Sequence, residues 1–413
     1  MPVSLVAIGA LMAAVALAVL FLVTAATKTE VANRAAVLAA RGDRAAARRL
    51  AEPLVASSNA AALLVLACIE LEEGHFEAAS RLAGRLASLK PDAPEVVVLI
   101  KLIEERTRTP TDRWTDVAAR AWRTAGRPQP TGNPILRPID VQRPIDQATI
   151  ARLTNMGDQF LLAFGEARTG SAGLVDAALA QADTGEHPTG VHLVALSVLL
   201  DGKLPDDKRS RARSAAIQLL HRIVRTHPEN GYLAAGIPLF GSDIRAPLTQ
   251  PELAILEDAT KRPRFELPMR PLFASFRAAY EQVDPGQAHA RAFSETAGAI
   301  PLEIHVTLSK RAEATSEPAL RSRVAAVLTA AGSRMEAGAT FLERMIGLSL
   351  QKKGAELRGD TAAMKAVDSR RDDLKSLISK GNAFWAHPWP IASLLKDHFE
   401  RNSTDEVRYY EAM

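Results

Sequence analysis

The first 27 residues contain no Asp, Glu, Lys or Arg, and residues 3–23 are almost wholly Ala, Val, Leu, Ile, Met and Phe. This run constrains the chain more than any other feature, because a stretch that offers water no charge has to be buried in protein or in lipid. At about 1.5 Å per residue, residues 3–23 make a helix of about 31 Å, the thickness of bilayer hydrocarbon. A cleaved signal peptide has a shorter apolar core, roughly 7 to 15 residues, behind a basic start. Here the run is longer, and Met1-Pro2-Val3-Ser4 brings no basic side chain. The sequence therefore predicts a transmembrane anchor over residues 1–27, contacting the lipid bilayer through residues 3–23.

Basic residues near a span set its orientation. None precedes it, whereas Lys28, Arg34, Arg41, Arg44, Arg48 and Arg49 follow. That asymmetry predicts a single-pass protein with its C-terminal domain in the cytoplasm. Arg far outnumbers Lys and Ala is abundant, so a bacterial inner membrane is the expected bilayer.

Composition narrows the fold of the remainder. Of the 413 residues 47% are hydrophobic and 24% charged, which is enough apolar surface for a packed core. Aromatic residues make up only 5%, and alanine, the best helix former, is everywhere; the expected class is all-α. The single cysteine, Cys68, excludes an internal disulfide framework and any Cys-rich metal site. A formal charge of +4, spread over the whole chain, is too dilute to predict nucleic-acid binding.

Residues 60–93 carry two apolar stripes at helical spacing, separated by Gly74 and closed by Pro91. Leu63, Leu66 and Ala67 mark the first helix, Gly74 and Phe76 the turn, and Ala79 and Leu86 the second helix. On these residues the segment resembles a tetratricopeptide repeat, departing from it in lacking an aromatic at Leu63 and in placing Glu70 where that family has one. A weaker copy precedes it, with Gly42 and Ala47 and the stripe Leu50 and Leu54. A partial third, Ala216, Leu220, Ile223 and Pro228, comes much later. The resemblance implies stacked helix pairs over residues 28–126 that hold out a concave surface for other proteins.

Prolines at 128, 130, 134, 138 and 144 stop any helix from crossing residues 127–145, which reads as a linker. Its tandem Arg-Pro-Ile-Asp motif, residues 137–140 and 143–146, reads as a connection that ends with Asp146 capping the next helix. Residues 146–413 then form a larger α-helical domain, with a Pro- and Gly-rich interval at 236–271 as a place where it could subdivide. An aromatic stripe, Leu272, Phe273, Phe276 and Tyr280, reads as core. Six arginines from Arg106 to Arg127, with Trp114 and Trp122 among them, read as a solvated helix face.

No phosphate-binding glycine loop, His-Glu-x-x-His motif or Gly-x-Ser-x-Gly elbow is present. His75 and His227 sit beside turns without a second ligand at helical spacing. The expectation is therefore a noncatalytic protein without cofactor or metal. Trp385 and Trp389, two of the four tryptophans, lie within five residues and offer a docking feature or the closure of the core. Two alternatives stay open: a helical enzyme with a dispersed site in 146–413, and an envelope assembly factor of the same fold facing the periplasm.

Overall fold

A computed structural model describes residues 27–129, 134–137, 144–167, 172–184, 189–201, 204, 206–241, 243–387 and 389–413. Among them the structure is all-α, with a single isolated bridge between Asn230 and Arg264 in place of any strand. No helix of the described residues is long and apolar enough to cross a membrane; the anchor expected at 3–23 lies outside the described residues. The chain divides into two compact units. Unit 1 comprises Met1–Val141, Lys380–His398 and Ala412–Met413, and unit 2 comprises Gln142–Ser379 and Phe399–Glu411.

Unit 1 is a row of helical hairpins: α1 (27–40), α2 (Arg44–Val55), α3 (Ala60–Glu72), α4 (Phe76–Leu89), α5 (Pro94–Arg108) and α6 (Trp114–Thr124). The α1–α2 and α3–α4 turns are built alike. Gly42 (φ +85°) and Gly74 (φ +82°) both adopt the left-handed conformation that glycine enters without a Cβ penalty. Asp43 then caps α2 by accepting from the Ala46 N–H, and Asn59 caps α3 from the Ala62 N–H. In α1 the buried positions Ala32, Ala35, Ala36, Ala39 and Ala40 form one stripe of small side chains, which lets a neighbouring helix approach closely. Every residue from Ala61 to Ile69 is buried, so α3 is the central helix of the unit.

The C-terminal residues 380–398 complete this unit, although the sequence places them in the 146–413 domain. The reason is aromatic packing: Phe384 meets Trp122 edge-on at 5.6 Å and stacks on Trp389 at 5.6 Å. Beside them Glu95, 1% exposed, accepts from the Ile135 N–H and faces His387 Nδ1 at 3.8 Å. Burial alone would raise the Glu95 carboxyl, but the neighbouring His387 and the hydrogen bonds it accepts from backbone N–H groups hold it below the usual range.

Unit 2 is built around α10 (Thr189–Leu200), buried almost throughout, with α8 (Met156–Ala167), α9 (Ala172–Asp183), α11 (Asp206–Thr226) and α14 (Met269–Val283) packed on it. The short α7 (Gln147–Ala151) opens the unit, and Asp146 caps it as expected. Phe273, Phe276 and Tyr280 of the aromatic stripe are buried in the same core. The interval at 236–271 does not subdivide this unit. It forms α12 (Gly231–Phe240) and α13 (Gln250–Ala259), and Arg311 of α16 (Glu303–Ala314) ties it in place. Fully buried, the Arg311 guanidinium donates to the carbonyls of Pro238, Ala246 and Pro247 at 3.0–3.1 Å and to Glu252 Oε2 at 2.8 Å. Proline-rich backbone leaves carbonyls without helical donors, and one arginine supplies them.

α15 (Ala288–Ala299) pairs with α14, and two long helices, α17 (Pro318–Glu336) and α18 (Phe341–Arg358), pair along a glycine seam. A Cβ on Gly347 would lie 2.4 Å from the Glu336 nitrogen and 2.6 Å from the Gly332 carbonyl oxygen, so the two backbones are in contact. α19 (Thr361–Trp385) and α20 (Ala392–Thr404) carry the chain from unit 2 to unit 1 and back, and α21 (Glu406–Glu411) ends unit 2.

Candidate functional site

The repeat residues read from the sequence fall into two sets. Leu63, Leu66, Ala67, Ala79 and Leu86 are buried and form the α3–α4 interface. Gly74, the half-buried Phe76 and the exposed Pro91 punctuate the turns instead. Glu70, the charged departure from the tetratricopeptide pattern, has a structural reason: it pairs with Arg48 of α2 and accepts from His75 Nδ1 at 2.9 Å. Partial burial pushes its carboxyl up, but the hydrogen bonds from Arg48 and His75 and the Arg48 charge outweigh this and hold it below the ordinary range.

Glu70, Glu73 and His75 bring one ligand atom each within 4.8 Å, a donor set the sequence did not reveal because it spans a turn. Arg48 also donates to Glu73 at 2.7 Å, and Arg44 approaches the same carboxylate at 3.3 Å. The two guanidinium groups thus already neutralise this acidic patch, which reads as an ion-pair network joining α2 to the α3–α4 turn.

The docking feature expected of Trp385 and Trp389 takes a different form. Trp389 is 1% exposed and its indole N–H donates to the Phe384 carbonyl, so no face of it is left for a partner. Trp385 is half-buried, its ring over His398 at 3.5 Å between centroids. These aromatics close unit 1's own core. The arginines near 106–127 are likewise engaged inside the unit: Arg106 lies over the Trp114 ring at 4.1 Å, Arg120 binds Glu105 and Asp112, and Arg127 donates to the Met413 carbonyl.

Unit 1 nevertheless presents one open surface. Between α4 and α5 runs a groove of about 770 Å³, with Ala83, Gly84, Ile100 and Ile103 along its floor and Ser80, Glu104, Thr107 and Arg108 at its edges. Gly84 is exposed, and a Cβ there would meet no atom within 4 Å. Both charged edge residues are already paired, Glu104 with Lys101 at 2.8 Å and Arg108 with Glu105. An apolar floor with neutralised edges suits apolar side chains better than a charged ligand. None of these groove residues stood out in the sequence beyond the general expectation of a concave surface.

In unit 2 the densest set of ionisable groups, including His227, Glu229, Arg264 and Glu343, surrounds a cavity of about 160 Å³. Two of its polar groups are engaged within the unit. Glu343 accepts from the Leu267 N–H at 2.9 Å and from both the N–H and hydroxyl of Thr340 at 3.0 Å, and His227 Nε2 bonds Thr189 Oγ1. The volume is below the range of roughly 300–1,000 Å³ usual for small-molecule sites.

Comparison with protein-family models, with curated proteins and with solved structures finds no match to this chain.

Proposed function

We propose that this chain is a noncatalytic scaffold whose helical hairpins, arranged in the manner of tetratricopeptide repeats, bind a polypeptide segment of another protein. The segment lies in the α4–α5 groove and places apolar side chains over Gly84, against Ile100 and Ile103. The observation that carries this reading is the groove itself: an open apolar floor beside a glycine that leaves room for an incoming side chain. Helix pairs stacked in a row commonly present such surfaces, and an apolar ridge laid into a groove gains affinity from the area it removes from water. The uncharged run at residues 3–23 would hold the scaffold at a bacterial inner membrane, and the basic residues that follow it favour a cytoplasmic side for the chain after residue 27.

A photo-crosslinking residue at Thr107, on the groove edge, tests the docking reading in membranes carrying the full chain. It is expected to trap a discrete protein adduct that the same residue at Arg81, which is 72% exposed, does not give. Equal adducts at both positions, or none at Thr107, would count against it. A reporter fused after residue 60 tests the side of the membrane, and activity of a periplasmic reporter would reverse the orientation.

A further inference from the structure

Unit 2 contains a second cavity, of about 350 Å³, bounded by the end of α10, the start of α11, the end of α12 and one face of α16. Its wall is apolar, formed by Leu199, Leu200, Leu239 and Phe240, and at its mouth Ile244 and Val306 are each 38% exposed. The volume falls within the range of small-molecule sites. From α16, Glu303, Thr307 and Lys310 contribute at positions i, i+4 and i+7, which one helical face presents together.

Thr307 is 1% exposed, and its hydroxyl has no hydrogen-bond partner among the described residues. Helical threonines ordinarily give this hydroxyl to the carbonyl four residues back, as Thr315 gives its own to Arg311 and Thr329 to Ala325. Glu303 Oε2 is likewise buried and unpartnered among the described residues. Both residues line the same cavity, so its apolar wall carries two buried polar atoms able to hydrogen-bond a ligand. At the edge, Arg213 uses Nε on the Phe240 carbonyl at 2.6 Å, and neither Arg213 nor Lys310 has a carboxylate partner among the described residues.

We propose that this cavity binds a single-chain anionic amphiphile, with its alkyl tail among Leu199, Leu239 and Phe240 and its headgroup between Arg213 and Lys310. The Thr307 hydroxyl donates to the headgroup. Burial, with a smaller contribution from the neighbouring Asp201 charge, raises the Glu303 carboxyl above its ordinary range. The tail needs no partner beyond the apolar wall.

The probe is decanoate, and a diazirine-bearing decanoate analogue is photolysed with the full chain in lipid nanodiscs. Labelling is expected on peptides from α10, α12 and α16, suppressed by excess decanoate and left unchanged by decylamine. Lys310 is exposed, so Lys310→Glu leaves the fold intact; it is expected to weaken competition by decanoate about tenfold or more. Thr307→Val, with its thermal midpoint checked, is expected to weaken it severalfold. Loss of label when an anionic lysolipid is added to the nanodisc identifies a single-chain membrane lipid as the natural source, and retention identifies a free acid; both support the site. Labelling elsewhere, equal competition by decylamine, or wild-type competition in Lys310→Glu would overturn the proposal.

Discussion

Asp397 caps a helix whose second residue, Thr115, lies 282 residues earlier in the chain. Its Oδ2 accepts from the Thr115 N–H at 2.9 Å and from the Thr115 hydroxyl at 2.6 Å, while Oδ1 accepts from Arg113 Nε at 2.9 Å. The local residue at the N-cap of α6, Arg113, has no side-chain oxygen to offer, so the C-terminal segment supplies the missing acceptor and a negative charge at the positive end of the helix. Asp397→Ala is expected to cost about 1–2 kcal/mol, the usual price of losing an N-cap. Native-state hydrogen exchange checks this: the first amides of α6 should exchange faster, and unchanged protection there would contradict it.

Arg311 makes a larger prediction. Removing the fully buried guanidinium leaves the carbonyls at 238, 246 and 247 without its donors and Glu252 without its cation. Arg311→Met is expected to destabilise unit 2 by about 3–5 kcal/mol. Loss of protection in α12 and α13, read by hydrogen exchange, should accompany a lower urea midpoint; a cost under about 1 kcal/mol would show the carbonyls find other partners.

Two buried groups, His398 in unit 1 and Glu406 in unit 2, should respond oppositely to pH. In unit 1, burial lowers His398 from an ordinary 6.5 to about 3. The unfolded chain therefore takes up a proton below pH 6.5 that the folded unit refuses, and unit 1 loses stability as pH falls from 6.5 toward 3. In unit 2, burial raises Glu406 from 4.5 to about 7, even though it accepts from the Phe341 N–H at 2.7 Å. Here the folded unit binds the proton more tightly, so the Glu406 contribution to stability is greatest below pH 4.5 and declines as pH rises from 4.5 to 7, while burial lowers His305 of the same unit and gives a contribution of opposite sign. Glu406→Gln should flatten that decline. Protection factors of α18 at pH 5 and pH 8 should differ less in Glu406→Gln than in wild type, and those of α6 should be lower at pH 5 than at pH 8; an unaltered α18 difference, or an α6 no less protected at pH 5, would refute the assignment.

The all-α class, the Gly74 turn and the Asp146 cap were legible because each depends on residues close in sequence: helical periodicity, a left-handed glycine, an aspartate two residues before the amide it caps. Gly42, 32 residues before Gly74, repeated that local signal. What could not be read depends on contacts between distant residues. Nothing at Asp397 points to Thr115, nothing at Arg311 points to three carbonyls in the proline-rich interval, and the aromatic packing that draws residues 380–398 into unit 1 needs Trp122 from the far end of the chain. The residues of the α4–α5 groove could not be read either, since Ala83 and Gly84 line it only when α5 lies beside them.

Two glycines of opposite surroundings separate close packing from open space. In a helix, Gly→Ala ordinarily stabilises by about 0.5–1 kcal/mol. Gly84→Ala should show that gain, because its Cβ points into the open groove. Gly347→Ala should instead destabilise by about 1–3 kcal/mol, since the methyl group would enter the backbone of α17. Thermal midpoints of both variants check the contrast, and a stabilised Gly347→Ala would mean the α17–α18 seam yields.

The central claim is that the α4–α5 groove is where a partner polypeptide binds, and Gly84→Trp tests it most directly. A Cβ at Gly84 meets no atom within 4 Å and the groove is large enough to take an indole, so the variant should obstruct the groove and fold with an undiminished thermal midpoint. Quantitative crosslinked pull-down of the full chain from membranes, wild type against Gly84→Trp, is predicted to lose the partner adduct about tenfold or more. A variant that folds normally and retains the adduct at wild-type level would contradict the account.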